Sequence, residues 1–326
     1  MPAGRTTATG LWYVAPGRAE LREIALGALQ EGEALVRATH SGVSRGTERL
    51  VFSGLVPASE FQRMRAPMQR GDFPFPVQYG YCAVGVVEAG PAEVVGKPAF
   101  CLHPHQDFFR APLSMLTILP AGLPPRRATL AANMETALNA LWDSGAGPGD
   151  RIVVVGAGVV GLLVGYLSAR LPGADVSLVD IDPTRQPIAR ALGVPFASPD
   201  DARSGADVVF HASASAAGLA LALNSAGKEA VVVEMSWYGA KDTSAPLGGA
   251  FHSQRLRLAS SQVGEIAPSR RPRWTYARRM AKALELLGDN RLDALIADDV
   301  SFVDLPAALP TLLAPGAPGL ASVVRY

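Results

Sequence analysis

The sequence predicts an α/β chain in which a doubly wound parallel sheet is joined to a second, β-rich domain. Three observations carry this prediction. A β-branched run, Ile152 to Val155, leads directly into the glycine pattern GAGVVG that begins at Gly156. Beyond it, short apolar runs alternate with helical patterns as far as Met235. Before it, up to about Ala132, short apolar runs are separated by turn residues, which is typical of β-rich structure.

The N-terminal part predicts strands wherever an apolar run of strand length is bounded by turn residues. Four runs meet this description: Leu11 to Val14, Glu33 to Ala38, Ala83 to Glu88 and Pro98 to Leu102. An irregular insertion is expected over Val51 to Arg70, with a short helix around Ser59 to Met64.

From Thr136 onwards the pattern predicts alternating helices and strands. The expected elements are a helix over Thr136 to Trp142, the strand Ile152 to Val155, a helix over Val159 to Arg170, the strand Val176 to Asp180, a helix over Thr184 to Leu192 that stops at Gly193, the strand Asp207 to His211, a helix over Gly218 to Asn224 and the strand Ala230 to Met235.

Past Gly264 the alternation breaks, and the remaining segment predicts an amphipathic helix over Trp274 to Leu287 and a final strand over Ala321 to Val324. We therefore expect one domain built from residues 1–133 together with 268–326, and a second built from residues 134–267. Seven arginines between positions 255 and 279 give the C-terminal third a basic texture, which suits either a carboxylate-bearing substrate or a solvated surface.

Composition excludes several classes of protein. The 326 residues include 30 basic and 29 acidic side chains without a basic stripe, so nucleic acid is not an expected partner. Ile152 to Ala169 is uncharged, but its three fingerprint glycines favour a buried strand and helix over a membrane span. Met1 to Gly10 lacks the apolar core of a signal peptide, and Cys82 and Cys101 form no C-x-x-C pair. These features predict a cytoplasmic protein.

The glycine pattern predicts a dinucleotide site. Gly156 permits a tight turn, Gly158 lets the backbone approach a pyrophosphate, and Gly161 lets helix and strand pack closely. The pyrophosphate would sit on the free N–H groups of the helix that starts at Val159 and Val160. Asp180 follows Gly161 by 19 residues, close to the roughly 20 expected of the acid that binds the adenosine ribose. Its charge would repel a 2′-phosphate, which favours NAD(H) over NADP(H).

Several stretches together resemble the medium-chain dehydrogenase/reductase superfamily of zinc-type alcohol dehydrogenases. They are Ser41 to Glu48 (SGVSRGTE), Gly80 to Glu88 (GYCAVGVVE), Glu135 to Ala137, the glycine fingerprint and Val179 to Asp182. The likeness covers nearly the whole chain, and Ser41 to Glu48 is most similar to the branch around hydroxyethyl-bacteriochlorophyllide dehydrogenase. The resemblance implies a GroES-like catalytic domain, a Rossmann domain and a homodimer. A porphyrin-like substrate is implied only by that branch.

The resemblance also implies roles for further residues at the cofactor. Thr136 corresponds to a threonine that lies under the nicotinamide, and Arg185 to a basic residue near the adenosine ribose. Ala212 and Met235 follow predicted parallel strands, where the nicotinamide half of a dinucleotide binds in open α/β sheets.

The zinc ligands of that superfamily are replaced in this sequence. The cysteine position falls at Ser44, the Gly-His-Glu histidine at Tyr81, and a third ligand position near Ala132. Serine and tyrosine are poor zinc ligands and alanine is none, while two cysteines cannot form the four-cysteine structural lobe. We therefore predict that no zinc is bound.

Without a metal, another group must stabilise the developing alkoxide. Tyr81 is a candidate because it occupies a former ligand position and its phenol could donate a hydrogen bond, although it could equally pack against a sheet. Ser44 and Thr47 could relay a proton, or serve only as turn residues. Glu48 is expected to pair with a buried basic residue.

His103 and His105 form the other conspicuous cluster. Alternate residues of a strand share one face, so both rings could point into a cleft and take a catalytic or substrate-binding role. The intervening Pro104 disfavours a regular central strand, and a solvated loop is the alternative. The pair could also hold a metal together with an added carboxylate such as Asp107.

These expectations combine into a function. The sequence predicts an NAD(H)-dependent, zinc-free oxidoreductase that interconverts a secondary alcohol and a ketone at the cleft between two domains. A quinone or enone reductase is an alternative enzyme, disfavoured by Asp180 because most of those use NADPH. A sensor or scaffold that binds a dinucleotide without efficient turnover is an alternative of another class.

Overall fold

The computed structural model describes residues 5–326, except for the side chain at position 298. Residues 1–4, at the start of the stretch considered for a signal peptide, lie outside the described residues. The chain divides into two compact units. The first comprises Met1–Ala132, Met280–Asn290 and Ile296–Tyr326, and the second comprises Asn133–Arg279 and Arg291–Leu295. The predicted mixed α/β class with a parallel sheet and a curled β-rich part is confirmed.

The first unit is β-rich within its described residues. Its N-terminal elements are β1 (Thr7–Ala15), β2 (Arg18–Ala25), β3 (Glu33–Val43), α1 (Arg45–Phe52), β4 (Arg70–Gly71), β5 (Val77–Gln78), β6 (Ala83–Ala89), β7 (Pro98–Cys101), β8 (Phe108–Pro112), β9 (Leu116–Ile118) and α2 (Pro125–Ala128). All of the first four predicted strand runs lie in strands, namely β1, β3, β6 and β7. The helix expected around residues 59–64 is only a short 3-10 turn over Ala58–Glu60.

The second unit contains the parallel sheet. Its elements are α3 (Ala131–Ser144), β10 (Arg151–Val155), α4 (Val159–Ser168), β11 (Asp175–Val179), α5 (Gln186–Ala191), β12 (Phe196–Ala197), β13 (Ala206–His211), α6 (Ala216–Ser225), β14 (Ala226–Glu234) and β15 (Arg257–Ser260). The described strands are parallel in the order β12-β11-β10-β13-β14-β15. This is the dinucleotide-binding order, in which the direction of winding reverses between β10 and β13.

The C-terminal segment returns to the first unit. It contains α7 (Tyr276–Leu286), β16 (Ile296–Ser301), α8 (Leu305–Leu312) and β17 (Ala321–Arg325). Strand β17 pairs antiparallel with β3, which extends the larger sheet of that unit to the order β16-β17-β3-β6-β7-β9, with β8 also paired to β3. Strands β2, β1, β5 and β4 form the smaller sheet. Across the described residues, no helix is long and apolar enough to cross a membrane.

Several elements were not predicted from the sequence, among them β2, β8, β16 and α8. The motif Ser41 to Glu48 runs from strand β3 into α1, so Ser44 and Thr47, for which turn chemistry was the alternative to a proton relay, lie at the start of a helix. The backbone N–H of Ser44 donates to Glu48 Oε1 at 2.7 Å, so a side chain of the first helical turn reaches back to the residue before it. Strand β15 was not predicted because most of its side chains are exposed and no apolar run marks it.

The boundary between the units lies at residues 279/280 rather than at the predicted 267/268. Arg279, on α7, is only 2% exposed and is held by residues of the second unit. Its Nε donates to Glu135 Oε1 at 2.9 Å, and Nη1 donates to Asn139 Oδ1 at 2.7 Å. Nη2 donates to the carbonyl of Val263 at 2.5 Å. These contacts extend the second unit into the helix that the sequence assigned to the first.

Replacement of Arg279 by methionine is expected to lower the free energy of unfolding by about 3 to 5 kcal/mol, because Glu135 then stays buried without a cation. Burial already raises the pKa of Glu135 while Arg279 is in place. Denaturant unfolding followed by tryptophan fluorescence measures the change. The matched control is Arg278→Met on the same helix, where the arginine is exposed. Equal destabilisation by the two variants would contradict the assignment.

Candidate functional site

The glycine loop of the second unit has the geometry that a dinucleotide site requires. Gly156 has a φ of +108°, and a Cβ there would lie 2.8 Å from the carbonyl carbon of Ala212. A Cβ on Gly161 would lie 1.8 Å from the carbonyl oxygen of Gly156. Side chains at these two positions would therefore collide with the backbone, and only glycine lets β10, the loop and α4 pack this closely.

The start of α4 is open to a ligand. Gly158 is the residue before the helix, and a Cβ on it would have no described atom within 4 Å. Val159 and Val160, the first helical residues, are partly exposed. Because the first N–H groups of a helix have no intrahelical partner, this end can receive a phosphate. The loop and helix therefore fit a pyrophosphate.

Asp180 stands at the carboxyl end of β11 and is fixed by two backbone donors. Ala157 N–H donates to Oδ2 at 2.5 Å, and Asp182 N–H donates to Oδ1 at 2.8 Å. A carboxylate has about four acceptor positions, so two remain for ribose hydroxyl groups. The same side chain thus ties the glycine loop to the position predicted to recognise the adenosine ribose.

Two neighbours of Asp180 complete this end of the sheet. Arg185, predicted near the ribose, forms an ion pair with Asp182, with Nε 3.1 Å from Oδ2. Ile181 is 85% exposed, which is unusual for a large apolar side chain. Ile181 is not among the residues predicted from the sequence, although its place directly after the acidic residue could have indicated it. Its exposed surface suits a flat apolar group such as an adenine.

The other predicted cofactor residues lie in two places. Ala212 follows β13, and its N–H donates to the backbone carbonyl of Val155 at 2.8 Å. Met235 follows β14, and its N–H donates to the backbone carbonyl of His211 at 3.0 Å. Both therefore lie at the carboxyl edge of the parallel sheet, where ligands bind in such folds. Thr136 lies on α3 and is partly exposed.

In the first unit, the structure brings three predicted catalytic residues together. The Tyr81 hydroxyl donates to Ser44 Oγ at 2.5 Å, and the Thr47 side chain also hydrogen-bonds to this phenol. Ser44 precedes α1 and Thr47 lies in its first turn. Burial raises the pKa of Tyr81 well above its usual value, so the phenol stays protonated and can donate.

Behind this trio lies a buried polar network that sequence analysis did not assemble. Glu48 Oε2 accepts from the Tyr13 hydroxyl at 2.6 Å and lies 3.1 Å from His105 Nε2. The other His105 nitrogen, Nδ1, lies 2.6 Å from Ser41 Oγ, which lies 3.0 Å from the Tyr326 hydroxyl. The prediction that Glu48 pairs with a buried basic residue describes this contact with His105. Nothing in the local sequence links these five residues.

The two histidines of the predicted pair have different surroundings. Both are buried, so the solvated-loop alternative is wrong, and they lie in the irregular segment between β7 and β8. His103 stacks on Phe109 with ring centroids 4.1 Å apart, and its Nδ1 lies 2.9 Å from the carbonyl of Pro104. Burial lowers the pKa of His103 to about 3, so the ring is neutral at physiological pH. His103 therefore serves packing in this structure.

The residues at the former zinc-ligand positions do not fit a zinc ion. The neutral hydroxyl groups of Ser44 and Tyr81 form a hydrogen bond with each other, and the side chain of Ala132 has no atom that can bind a metal. Among the described residues, no group of three histidine, cysteine, aspartate or glutamate side chains is arranged to hold a metal.

Comparison with known proteins finds a curated relative and many solved structures that resemble the chain. No family model matches the chain. An uncharacterised zinc-type alcohol dehydrogenase-like protein from Haemophilus influenzae is 29% identical over 221 residues. The match covers 64% of this chain and 60% of that relative, so the chain matches less than two thirds of its length. The chain is thus similar in sequence to a zinc-type alcohol dehydrogenase-like protein.

Solved structures of dehydrogenases share the fold of this chain over almost its entire length. A candidate zinc-binding dehydrogenase from Sinorhizobium meliloti, bound to NADP, has a TM-score of 0.79 at 18% identity and covers 99% of this chain and 100% of its own. An Escherichia coli alcohol dehydrogenase in complex with NADH has a TM-score of 0.79 at 13% identity, with the same coverage. L-idonate 5-dehydrogenase from Escherichia coli has a TM-score of 0.80 at 14% identity and covers 98% of each chain.

Because His103 is buried in its neutral form, the stability of the folded chain should decrease in acid. The pKa of His103, about 3, lies below the 6.5 of an exposed histidine, so the unfolded chain binds a proton that the folded chain refuses. Stability is therefore lost as the pH falls below 6.5, by about 3 kcal/mol at pH 4. Denaturant unfolding gives the free energy of unfolding at pH 7 and at pH 4. The decrease between the two should be about 3 kcal/mol larger in the native chain than in His103→Gln.

The control for this experiment is His252→Gln, because His252 is exposed. The decrease in its free energy of unfolding between pH 7 and pH 4 should match that of the native chain. A His103→Gln variant that keeps the full pH dependence would show that another group is responsible.

Proposed function

We propose that this chain is an NAD(H)-dependent oxidoreductase of the medium-chain dehydrogenase/reductase type that interconverts a secondary alcohol and a ketone without a catalytic zinc ion. One observation carries the proposal: the Asp180 carboxylate is fastened to the glycine loop at Ala157 beside an open helix start. Such an arrangement joins pyrophosphate binding to ribose recognition. The NADP and NADH seen in the Sinorhizobium meliloti and Escherichia coli structures support a nicotinamide dinucleotide in general.

The second unit would hold the cofactor through its own residues. Gly156 to Gly161 and the start of α4 would receive the pyrophosphate, and Asp180 would accept hydrogen bonds from the ribose hydroxyls. Ile181 would pack on the adenine. When bound, the nicotinamide ring supplies or accepts the hydride, which is chemistry that no side chain can provide.

The Tyr81–Ser44 pair of the first unit supplies the proton in this proposal. A ketone that receives a hydride becomes an alkoxide, and the protonated phenol of Tyr81 can donate its proton to that oxygen. The tyrosinate then regains a proton from water through Ser44, whose hydroxyl passes its own proton to Tyr81 as it takes one from a water molecule, with Thr47 as a second hydroxyl partner. Reversal of these steps oxidises the alcohol. A hydrogen-bond donor thereby takes the place that a Lewis-acidic metal holds in zinc enzymes.

The proposed chemistry specifies only the reacting group of the substrate, which is a ketone or a secondary alcohol. L-idonate 5-dehydrogenase, among the similar structures, is named for oxidation of a polyhydroxy acid. The branch around hydroxyethyl-bacteriochlorophyllide dehydrogenase remains a prediction of the sequence, as do the homodimer and the cytoplasmic location. Turnover of quinones or enones, or binding without turnover across a broad panel, would each favour one of the alternative functions.

The cofactor preference tests the role of Asp180. In Asp180→Ser, loss of the carboxylate should weaken NADH at least tenfold and leave NADPH equal or tighter, because repulsion of the 2′-phosphate disappears. Fluorescence titration with both reduced dinucleotides measures the two dissociation constants, on protein whose zinc content is measured first.

Two further variants separate charge from loop support. Asp180→Asn keeps an acceptor oxygen for Ala157 and should show the same change of preference, while Asp175→Asn, at the amino end of the same strand, should change nothing. Native protein that prefers NADPH, or that carries one zinc per chain, would refute the proposed cofactor or the proposed metal-free chemistry.

The role of Tyr81 as proton donor is tested by removal of its phenol oxygen. Tyr81→Phe should lower kcat by about 10²- to 10⁴-fold while the dissociation constant for NADH stays within twofold, because only proton transfer is lost. Stopped-flow measurement of NADH consumption with a ketone substrate gives kcat, and the titration described above gives the cofactor affinity.

Tyr79→Phe is the matched control, since its ring contacts Tyr81 edge-on at 6.0 Å and it also loses a phenol oxygen. Its kcat should stay within threefold of the native value. If both variants lose activity equally, the effect is structural, and Tyr81 is not the donor.

A further inference from the structure

A second polar cluster lies at the carboxyl edge of the parallel sheet. His211 ends β13, Glu234 ends the neighbouring β14, and the two residues are partners in the strand register. Ser213 follows β13 by two residues, and Ser215 is the N-cap of α6. The chain thus passes from strand through a tight turn to helix, with a serine on the turn, as nucleophilic serines are placed in other α/β folds.

The distances within this cluster define a hydrogen-bonded line of three side chains. His211 Nδ1 lies 2.7 Å from Glu234 Oε2, and His211 Nε2 lies 2.7 Å from Ser213 Oγ. A carboxylate only accepts, so Nδ1 carries the proton, and Nε2 of the neutral ring accepts from the Ser213 hydroxyl. His211 is fully buried and Ser213 is partly exposed. The base is therefore shielded from solvent, while the nucleophile can be reached.

Glu234 is itself held in place. Besides His211, it accepts from the Tyr238 hydroxyl at 3.1 Å and from the Ser236 N–H at 2.7 Å. Burial acts to raise its pKa, but the hydrogen bonds from His211 and Ser236 outweigh this and leave the pKa below its usual value. The carboxylate is thus ionised at neutral pH, as an orienting partner for a histidine base must be.

The backbone around the serine is built for this arrangement. A Cβ on Gly218, in the first turn of α6, would lie 2.0 Å from Ser213 Oγ and 2.8 Å from His211 Nε2. Glycine at this position therefore leaves the space that the serine and histidine occupy. Ala214, directly after the serine, has a φ of +51°, a left-handed conformation that an alanine rarely adopts. Strain of this kind is typical of functional turns.

We propose that Ser213, His211 and Glu234 form a serine nucleophile with its base and orienting acid, and that the second unit accepts acyl groups from small activated esters. The cluster lies at the same edge of the sheet as Ala212 and Met235, but the proposed reaction uses neither the nicotinamide nor Tyr81. The Gly218 N–H donates to Ser215 Oγ at 3.0 Å, so the N–H groups of Ala216 and Ala217, the first two residues of α6, are the ones that would stabilise the oxyanion on the acyl carbonyl.

The reaction balances with water as the only co-reactant. Ser213 Oγ attacks the acyl carbon while its proton passes to His211 Nε2, and the resulting tetrahedral oxyanion collapses as the C–O bond to the alcohol breaks. The alcohol leaves with the proton from His211. Water then attacks the acyl-serine with His211 as the base, releases the carboxylic acid and restores the serine hydroxyl.

A serine-reactive probe tests this inference without any dinucleotide. Purified full-length protein is treated with an alkyl fluorophosphonate, and the labelled residue is located by peptide mass spectrometry. We expect phosphonylation of Ser213 with loss of fluoride, absence of label in Ser213→Ala, and labelling at least 100-fold slower in His211→Gln. Hydrolysis of p-nitrophenyl acetate should follow the same order.

Ser198→Ala is the matched control, because the Ser198 hydroxyl also hydrogen-bonds, to Asp201 at 2.7 Å, but has no histidine partner. Its labelling and ester hydrolysis should equal those of the native chain. No label on Ser213, or a label rate that His211→Gln leaves unchanged, overturns the inference. If His211→Gln fails to fold, comparison of labelling in the native chain and in Ser213→Ala still tests whether Ser213 is the nucleophile. None of these results bears on NADH oxidation, so the two proposals fail separately.

Discussion

The buried Glu48 carboxylate organises the β-rich unit. It accepts from Tyr13 on β1 and from the backbone N–H of Ser44 before α1, and it contacts His105 in the segment between β7 and β8. Removal of this carboxylate would leave several buried donors unpaired, at a cost of about 1 to 3 kcal/mol each. The start of α1, and hence the position of Ser44 opposite Tyr81, depends on it. The candidate proton donor is therefore supported by a group that never needs to touch the substrate.

The sequence predicts the cofactor side of the molecule well because its signals are local. Gly156 and Gly161 are required by backbone atoms within a few residues along the chain or on the adjacent strand, and Asp180 lies one βα unit away. A pattern of glycines, apolar runs and one acid is sufficient to specify such a site. The parallel strand order follows from the same alternation of strands and helices, which leaves few topologies open.

The remaining contacts could not be predicted, because they join residues far apart in the chain. His105 meets Glu48 across 57 residues, and Ser41 meets Tyr326 across 285. Arg279 belonged to a run of arginines that suited a solvated surface or a charged ligand, yet it is buried against Glu135, 144 residues away. His211 and Glu234 end separate strands, and only the register of β13 and β14 makes them neighbours. Three-dimensional pairing decides such cases, and composition or periodicity cannot anticipate it.

The hydrogen bond from Ala157 to Asp180 has a consequence for binding kinetics. Because the carboxylate holds the glycine loop before any ligand arrives, little conformational entropy remains to be lost when a pyrophosphate binds there. Affinity gained by such preorganisation appears mainly as slower dissociation. A dinucleotide bound at this loop would therefore dissociate slowly.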